Sequence, residues 1–335
     1  MSRKLASLRF VTDIKEAKGL DNLEHVCIGG WKVLEEKGKY TIGDKVIFCE
    51  IDSMIPLDKR TEHLTKYSKI IEVEDKKYIR VKTAKIRGNL SQGVLLNPQT
   101  FSIVEKVDSD LTEILGIRLY EPINQKDFSI GAVDNQADFP YFIMKTDQER
   151  IQNIKEVPDF TYEVTEKIDG TSCTMFVKDG DFGICSRNFR KKTDAEKPNG
   201  YTKIYYKYID ILSKWHNQTG RNIALQGELI GLKIQGNPYN LQGQEWYIFD
   251  IFDIDKQEYL MPEECRNLCE ILGLNHVPVI SEEYKYTTFE DELKNADGIS
   301  KLYSTKREGL VFKANQPERF SFKIVSNRYL LKNDL

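Results

Sequence analysis

Apolar residues in the first hundred positions come in short runs broken by turn residues. Val26-Cys27-Ile28 stops at Gly29-Gly30, and Trp31-Lys32-Val33-Leu34 alternates before a charged turn ending at Gly38. Lys45-Val46-Ile47-Phe48-Cys49-Glu50-Ile51 follows Gly43-Asp44, then come Tyr78-Ile79-Arg80-Val81-Lys82, Ala84-Lys85-Ile86-Arg87 and Gly93-Val94-Leu95-Leu96. Such runs predict strands. Val107, Leu111, Ile114 and Leu115 fall at helical spacing and predict a helix over 107–119. Beyond Tyr141 the pattern mixes both periods. It predicts strands at 161–166, 173–178, 182–186, 223–229, 246–252, 309–313 and 320–325. It also predicts a helix from Ile204 to Trp215 with Tyr208, Ile211, Leu212 and Trp215 on one face. A second helix is expected from Glu263 to Leu272, opened by Pro262 and stopped by Gly273.

This pattern is α+β. About five short strands with a polar excursion suit a small barrel such as an OB-fold, and another small β-domain would give a similar pattern. The polar stretch from Gly131 to Pro140 marks the expected boundary, giving an N-terminal β-domain at 1–130 and a second domain at 131–335. A length of 335 residues suits two domains.

Composition narrows the classes. With 40% hydrophobic and 30% charged residues the chain can bury a core. No apolar run approaches the roughly 20 residues of a membrane span, and no h-region follows Met1-Ser2-Arg3-Lys4, so no membrane association and a cytoplasmic location are expected. The 49 basic and 52 acidic residues leave a net charge of −3, so any nucleic-acid contact must rest on local patches. The six cysteines include no C-x-x-C pair, and the four histidines (His25, His63, His216, His276) form no H-x-x-x-H pair. Reduced structural thiols and no protein-built zinc site are expected.

The sharpest chemical feature is Glu166-Lys167-Ile168-Asp169-Gly170-Thr171-Ser172, set between two predicted strands. A lysine leaving a strand into a Gly-containing turn suits a cavity edge, and K-x-D-G alone equally suits a solvated turn. In fixed order after it come Ser186-Arg187-Asn188, Leu225-Gln226-Gly227-Glu228-Leu229-Ile230-Gly231, Trp246 to Phe252, Arg307-Glu308-Gly309-Leu310-Val311-Phe312-Lys313 and Ser321-Phe322-Lys323-Ile324. Each alone has a bland reading: a surface charge at Arg187, a strand-end carboxylate at Glu228, core at Phe249, a snorkelling stem at Lys323. Their ordered company is hard to assign to chance.

Together these motifs resemble the covalent nucleotidyltransferases, the superfamily of ATP-dependent polynucleotide ligases and RNA capping enzymes. The likeness is greatest to RNA ligases with an N-terminal OB domain, of the Naegleria and Deinococcus types. It spans essentially the whole chain, including Gly88 to Gly93 and Phe142 to Asn153. The resemblance implies an ATP-dependent RNA ligase that joins 3′-OH to 5′-phosphate ends, at nicks in duplexes. It implies that Lys167 attacks the α-phosphate of ATP and carries AMP. It places Glu166, Arg187 and Glu228 with the nucleoside, Phe249 on adenine, and Lys313 and Lys323 on the α-phosphate. Arg150 is placed with the leaving pyrophosphate, and Asp169, Glu228 and Glu308 with Mg²⁺ or Mn²⁺.

Two departures stand out: Ser321 where a first lysine of K-x-K is common, and Ser172 where some relatives have Asn. A DNA ligase, a capping-type guanylyltransferase or an inactive RNA-binding relative are the alternatives. The N-terminal position of the OB domain argues against the first two, and the full set of charged residues against the third.

RNA is the expected partner, and no protein partner is implied. Arg80, Lys82, Lys85 and Arg87 form a basic ribbon on the first domain, with alternation putting Arg80 with Lys82 and Lys85 with Arg87 on strand faces. A solvated charged face is the bland reading. Only about one unperturbed lysine in 2,500 is neutral at pH 7, a cost of about 4.6 kcal/mol. Lys313, Lys323 and a divalent metal are therefore expected to surround Lys167 with positive charge.

Overall fold

The computed structural model describes residues 3–120, 135–194 and 198–333. The chain divides into two compact units: 1–122 with 149–157 and 330–335, and 123–148 with 158–329. The expected boundary at 130/131 lies outside the described residues.

The first unit runs β1 (Ala6–Phe10), β2 (Asp13–Glu16), β3 (Leu23–Ile28), β4 (Trp31–Glu36), β5 (Lys45–Cys49), β6 (Ser53–Pro56), β7 (Ile70–Val73), β8 (Lys76–Arg80), β9 (Thr83–Ile86), β10 (Asn89–Gln92), β11 (Val94–Leu96) and β12 (Arg118–Leu119). All pairings among them are antiparallel: β1-β5-β11, β2-β3-β4, β9-β10 and β12-β6-β8-β7. β5 is paired on both edges, and Val46, Ile47, Phe48 and Cys49 are all buried, which is why it reads as a continuous apolar run. Its neighbours Leu8, Ile55, Ile79, Val81 and Leu96 complete the core. The polar strands β2 (DIKE) and β10 (NLSQ) have no apolar alternation and escape a pattern search.

Segment 107–119 is not helical. Asp108 takes φ 70° and Gly116 φ 63°, Asp110 bridges to Ser7, and the Asp110 carboxylate accepts the Thr112 N–H at 2.9 Å. Side-chain capture of backbone donors outcompetes the helix here. The basic ribbon is also broken up. Arg80 ends β8 with its guanidinium 3.9 Å over the Tyr120 ring, and Lys82 follows the strand. Lys85 lies in β9, and Arg87 sits in the β9–β10 turn at φ 46°.

The chain continues with β13 (Asn135–Asp138) in the second unit and β14 (Glu149–Arg150) in the first. The second unit then takes β15 (Thr161–Lys167), β16 (Thr171–Lys178), β17 (Asp181–Cys185), β18 (Phe189–Lys191), α1 (Gly200–Thr219), β19 (Ile223–Gly231), β20 (Gln244–Asp253), β21 (Glu258–Tyr259), α2 (Pro262–Ile271), β22 (Asn275–His276), β23 (Val279–Lys285), α3 (Phe289–Ala296), β24 (Gly309–Ala314) and β25 (Ser321–Val325). The last helix is α4 (Asn327–Asn333).

One sheet orders β13-β18-β17-β16-β19-β20-β21, so residues 135–138, expected as linker, are an edge strand. A second sheet orders β25-β24-β15-β23. On the large sheet, Cys173, Met175, Leu225, Trp246 and Ile248 face α1 and α2. The α1 stripe is Ile204, Tyr208, Leu212 and Trp215; Ile211 falls off it and is 43% exposed, against expectation. Asn199 and Thr202 form a capping box, and Gly220 closes the helix at φ 66°. Among the described residues no helix is long and apolar enough to cross a membrane.

Two features fix the site. Residues Gln226 and Gly227 face Asp250 and Ile248, leaving Phe249 as the extra residue of a β-bulge, which turns its side chain out of strict alternation. Gly227 is required there, because a Cβ would meet the Tyr247 carbonyl at 2.4 Å. Beside the bulge, buried Asp250 ties β20 to the second sheet: Lys313 Nζ lies at 3.0 Å, and Arg319 donates to both oxygens at 3.2 and 2.8 Å. Burial pushes the Asp250 carboxyl up, but Arg319 and Lys313 outweigh it and hold it below the ordinary range.

Gly227→Ala is expected to cost about 1–3 kcal/mol in urea unfolding. Gly243→Ala, which meets nothing within 4 Å, should stay within about 0.5 kcal/mol. Asp250→Asn should cost about 3–5 kcal/mol at neutral pH, because two cations lose their buried partner. A depressed carboxyl stabilises above its unfolded pKa of about 3.9 and loses that effect as pH falls. The variant should therefore show a shallower acid limb than wild type in stability–pH profiles.

Candidate active site

β15 delivers Lys167 at its last position, directly opposite Gly309. That register sets the lysine beside Glu308, and Nζ lies 2.8 Å from Glu308 Oε1 with the side chain 26% exposed. The turn that follows packs tightly on β19: a Cβ on Gly170 would meet the Leu229 carbonyl at 2.4 Å. Glu228, opposite Ser172 on β16, completes the group with Asp169.

Charge around Lys167 differs from expectation. Burial lowers its pKa, but Glu308, Glu228 and Asp169 together hold the amine above its ordinary value. Its immediate neighbours are carboxylates, not lysines. Burial pushes the Glu228 carboxyl up to about 8, with Lys167 opposing and Glu308 and Asp169 adding to the rise. The cause is strand register, which makes Glu308 the residue beside Lys167's partner. Lys313 lies on the same sheet face as Lys167 by alternation, yet its ammonium is held by Asp250 and donates to the Phe249 carbonyl. Lys323, opposite Val311, shares that face.

Arg187 follows β17 and donates to both oxygens of Asp147 at 3.1 and 3.0 Å, and its charge also acts on Glu228. Phe249 packs half-buried against Ile168, Ile230, Tyr239, Tyr247 and Val277. Glu166 points its side chain away from Lys167. Alternation turns its carboxylate to the face opposite Lys167, where Oε2 accepts the Lys301 N–H at 2.8 Å, Oε1 is buried without a hydrogen bond, and the charge acts on Arg307. Any contact from this position on the Lys167 face is left to its main chain. Arg150 belongs to the first unit, buried, with Nη2 3.1 Å from Asp52.

Two tyrosines near the turn after Lys167 carried no motif signal. The Tyr239 hydroxyl accepts the Asp169 N–H at 2.8 Å, and the Tyr329 hydroxyl bonds the Asp169 side chain. Only the fold brings these distant positions to residue 169.

The donor set of Asp169, Glu228 and Glu308 is hard oxygen, suited to Mg²⁺ or Mn²⁺. Among the described residues no group of three His, Cys, Asp or Glu side chains is placed to hold an ion alone. An ion here fits only with waters and ligand oxygens sharing its shell, the usual habit of Mg²⁺. All six cysteines are free and buried.

The RNA ligase family model matches residues 160–325, and an OB-fold domain model matches residues 5–98. No curated protein sequence matches. Among solved structures, a variant of a Naegleria gruberi RNA ligase in apo form superposes with a TM-score of 0.91 at 38% identity, covering 100% of both chains. A variant of the Naegleria gruberi enzyme with ATP and Mn gives 0.89 at 38%, covering 99% of this chain and 100% of that one. One with AMP and Mn gives 0.90 at 38% with the same coverage. With 38% identity across the full length of both chains, this chain belongs to the RNA ligase family, with an OB-fold domain preceding its nucleotidyltransferase domain.

Proposed function

We propose that this RNA ligase uses ATP to seal 3′-OH and 5′-phosphate RNA ends at nicks in duplexes, through AMP carried on Lys167 and then on the RNA 5′ end. The observation that carries this reading is Lys167 Nζ at 2.8 Å from Glu308 Oε1, within the field of Glu228 and Asp169. Family members with ATP and Mn or with AMP and Mn support the choice of nucleotide and ion.

Lys167 must lose a proton before it attacks. Glu308 Oε1 is in hydrogen-bond reach of Nζ and serves as the acceptor. The neutral amine then forms the N–P bond to the α-phosphate as the bond to pyrophosphate breaks. Bound Mg²⁺ or Mn²⁺, sharing its shell with Asp169, Glu228 and Glu308, would offset the carboxylates that favour the ammonium and the charge gathering on phosphate. Lys323 binds the α-phosphate from the sheet face it shares with Lys167. Lys313 adds its charge there while anchored on Asp250. Phe249 stacks on adenine, and Arg187 and Glu228 hold the ribose. Tyr239 and Tyr329 keep Asp169 in place. The adenylate then passes to the RNA 5′-phosphate, and attack by the 3′-OH releases AMP.

Arg80, Lys82, Lys85 and Arg87 hold the RNA backbone as separate phosphate contacts rather than as one strand face. The six buried free cysteines suit a reducing compartment, the cytoplasm.

With α-labelled ATP and Mg²⁺, wild type should become labelled, and Lys167→Ala should show no label above background. Labelled GTP should not substitute. Absence of label on wild type would sink the reading, and sealing of DNA 3′-OH ends as fast as RNA ends would redirect it to a DNA ligase. Replacing Arg80, Lys82, Lys85 and Arg87 together by Ala should leave labelling within about twofold. It should weaken RNA binding at least tenfold and flatten its salt dependence, as expected when phosphate contacts are lost.

A further inference from the structure

The segment between β13 and β14 presents the Tyr141 ring outward. Tyr141 is 98% exposed and Met144 53% exposed. Beneath them, half-buried Phe142 packs against a core patch containing Phe176, Ala224 and Phe252. The Tyr141 ring stands edge-on to Phe142 at 5.6 Å, and Phe142 edge-on to Phe176 at 5.6 Å.

The backbone carrying Tyr141 is fixed. The Phe139 N–H donates to the Asn188 carbonyl at 2.8 Å, and the Ile143 N–H to the Pro140 carbonyl at 3.2 Å. Gln257 Nε2 donates to the Phe142 carbonyl at 3.1 Å. Gln226 Nε2 at 2.8 Å and the Tyr259 hydroxyl at 2.9 Å both donate to the Met144 carbonyl. Single exposed aromatic residues are ordinary on protein surfaces. An exposed ring on a pinned loop is different, because a ligand stacked on it orders little that is not already ordered.

Charge narrows the ligand. Lys178 Nζ lies 5.5 Å over Phe142, shared with Asp179 at 2.6 Å. Lys145 Nζ lies 5.3 Å over Phe139 and donates to the neutral Asn188 Oδ1 at 3.0 Å, so its charge has no acidic partner in that bond. Lys178, beside Tyr141, also lies in the field of Asp255, which leaves Lys145 on the same segment as the ammonium with no acidic partner in its bond. An open π-face with lysines in its neighbourhood matches an unpaired nucleobase with its phosphates.

We propose that Tyr141 is a stacking platform for an unpaired base in single-stranded RNA flanking the nicked duplex, with Lys145 and Lys178 on the adjoining phosphates. The proposal rests on the RNA ligase reading and adds to it a substrate-holding surface on the nucleotidyltransferase unit. It concerns strand capture and not transfer of AMP to Lys167.

The test uses the full chain with Tyr141→Ala, Tyr141→Trp and Lys145→Ala. Labelling by ATP is measured beside fluorescence polarisation with a dye-labelled single-stranded RNA at several salt concentrations. Tyr141→Ala should label as wild type and lose RNA affinity by about five- to a hundredfold, the range for one lost stack. Tyr141→Trp should retain affinity, and Lys145→Ala should lower the salt slope by about one contact. Wild-type RNA affinity in Tyr141→Ala overturns the platform, as does equal loss in Tyr141→Trp. Wild type that takes no label overturns the ligase reading instead. Because the ring is almost wholly in water, melting temperatures should be unchanged, and a lowered one in Tyr141→Ala would also count against it.

Discussion

The antiparallel register of β15 on β24 is the constraint on which the site depends. Opposing Lys167 to Gly309 fixes the lysine beside Glu308, and slipping the pairing by one residue would send Lys167 to the face now held by Glu166. The aromatic core on the other face resists that slip: Phe312 and Phe322 stack at 4.8 Å with Tyr162 against both. A hydrophobic interaction on one face thus holds a chemical arrangement on the other.

The large sheet contributes by a different device. Its bulge at Phe249 is what lets an aromatic ring and a buried carboxylate sit at consecutive positions and both act on the site's side of the sheet. Asp250 then joins the sheets by charge, through Lys313 and Arg319. Lys313 is therefore part of the framework as well as a source of positive charge. Lys167 is ringed by Glu308, Glu228 and Asp169, whose charge outweighs burial and favours its ammonium form. Under the proposed reaction, this arrangement would couple the amine's reactivity to arrival of the cation and nucleotide.

Much of the second unit was legible because its strands are buried on both sides and its helices are capped by sequence signals. β16, β19, β20 and β24 carry runs of apolar residues beside their chemical residues, and Pro262 and Gly273 bracket α2. The first unit was less legible, since β2, β7 and β10 pair through backbone atoms that no side-chain pattern reveals. The false helix at 107–119 shows the same limit. Its apolar spacing was real, but Leu111 is buried by neighbouring strands and the backbone follows Asp110 and two left-handed residues instead.

The sequence by itself determined which residue types exist in which order: a lysine before Asp-Gly, carboxylates at 228 and 308, lysines at 313 and 323, and an aromatic at 249. Motif order carries that information because each chemical residue belongs to one short stretch of chain in or beside a strand. Tertiary structure alone decided the sign of the charge around Lys167, the anchoring of Lys313 on Asp250, the turning of Glu166 to the opposite face, and the meeting of Tyr239 and Tyr329 at Asp169. These depend on which strands pair and in what register, and electrostatic interaction follows distance in space, not separation along the chain.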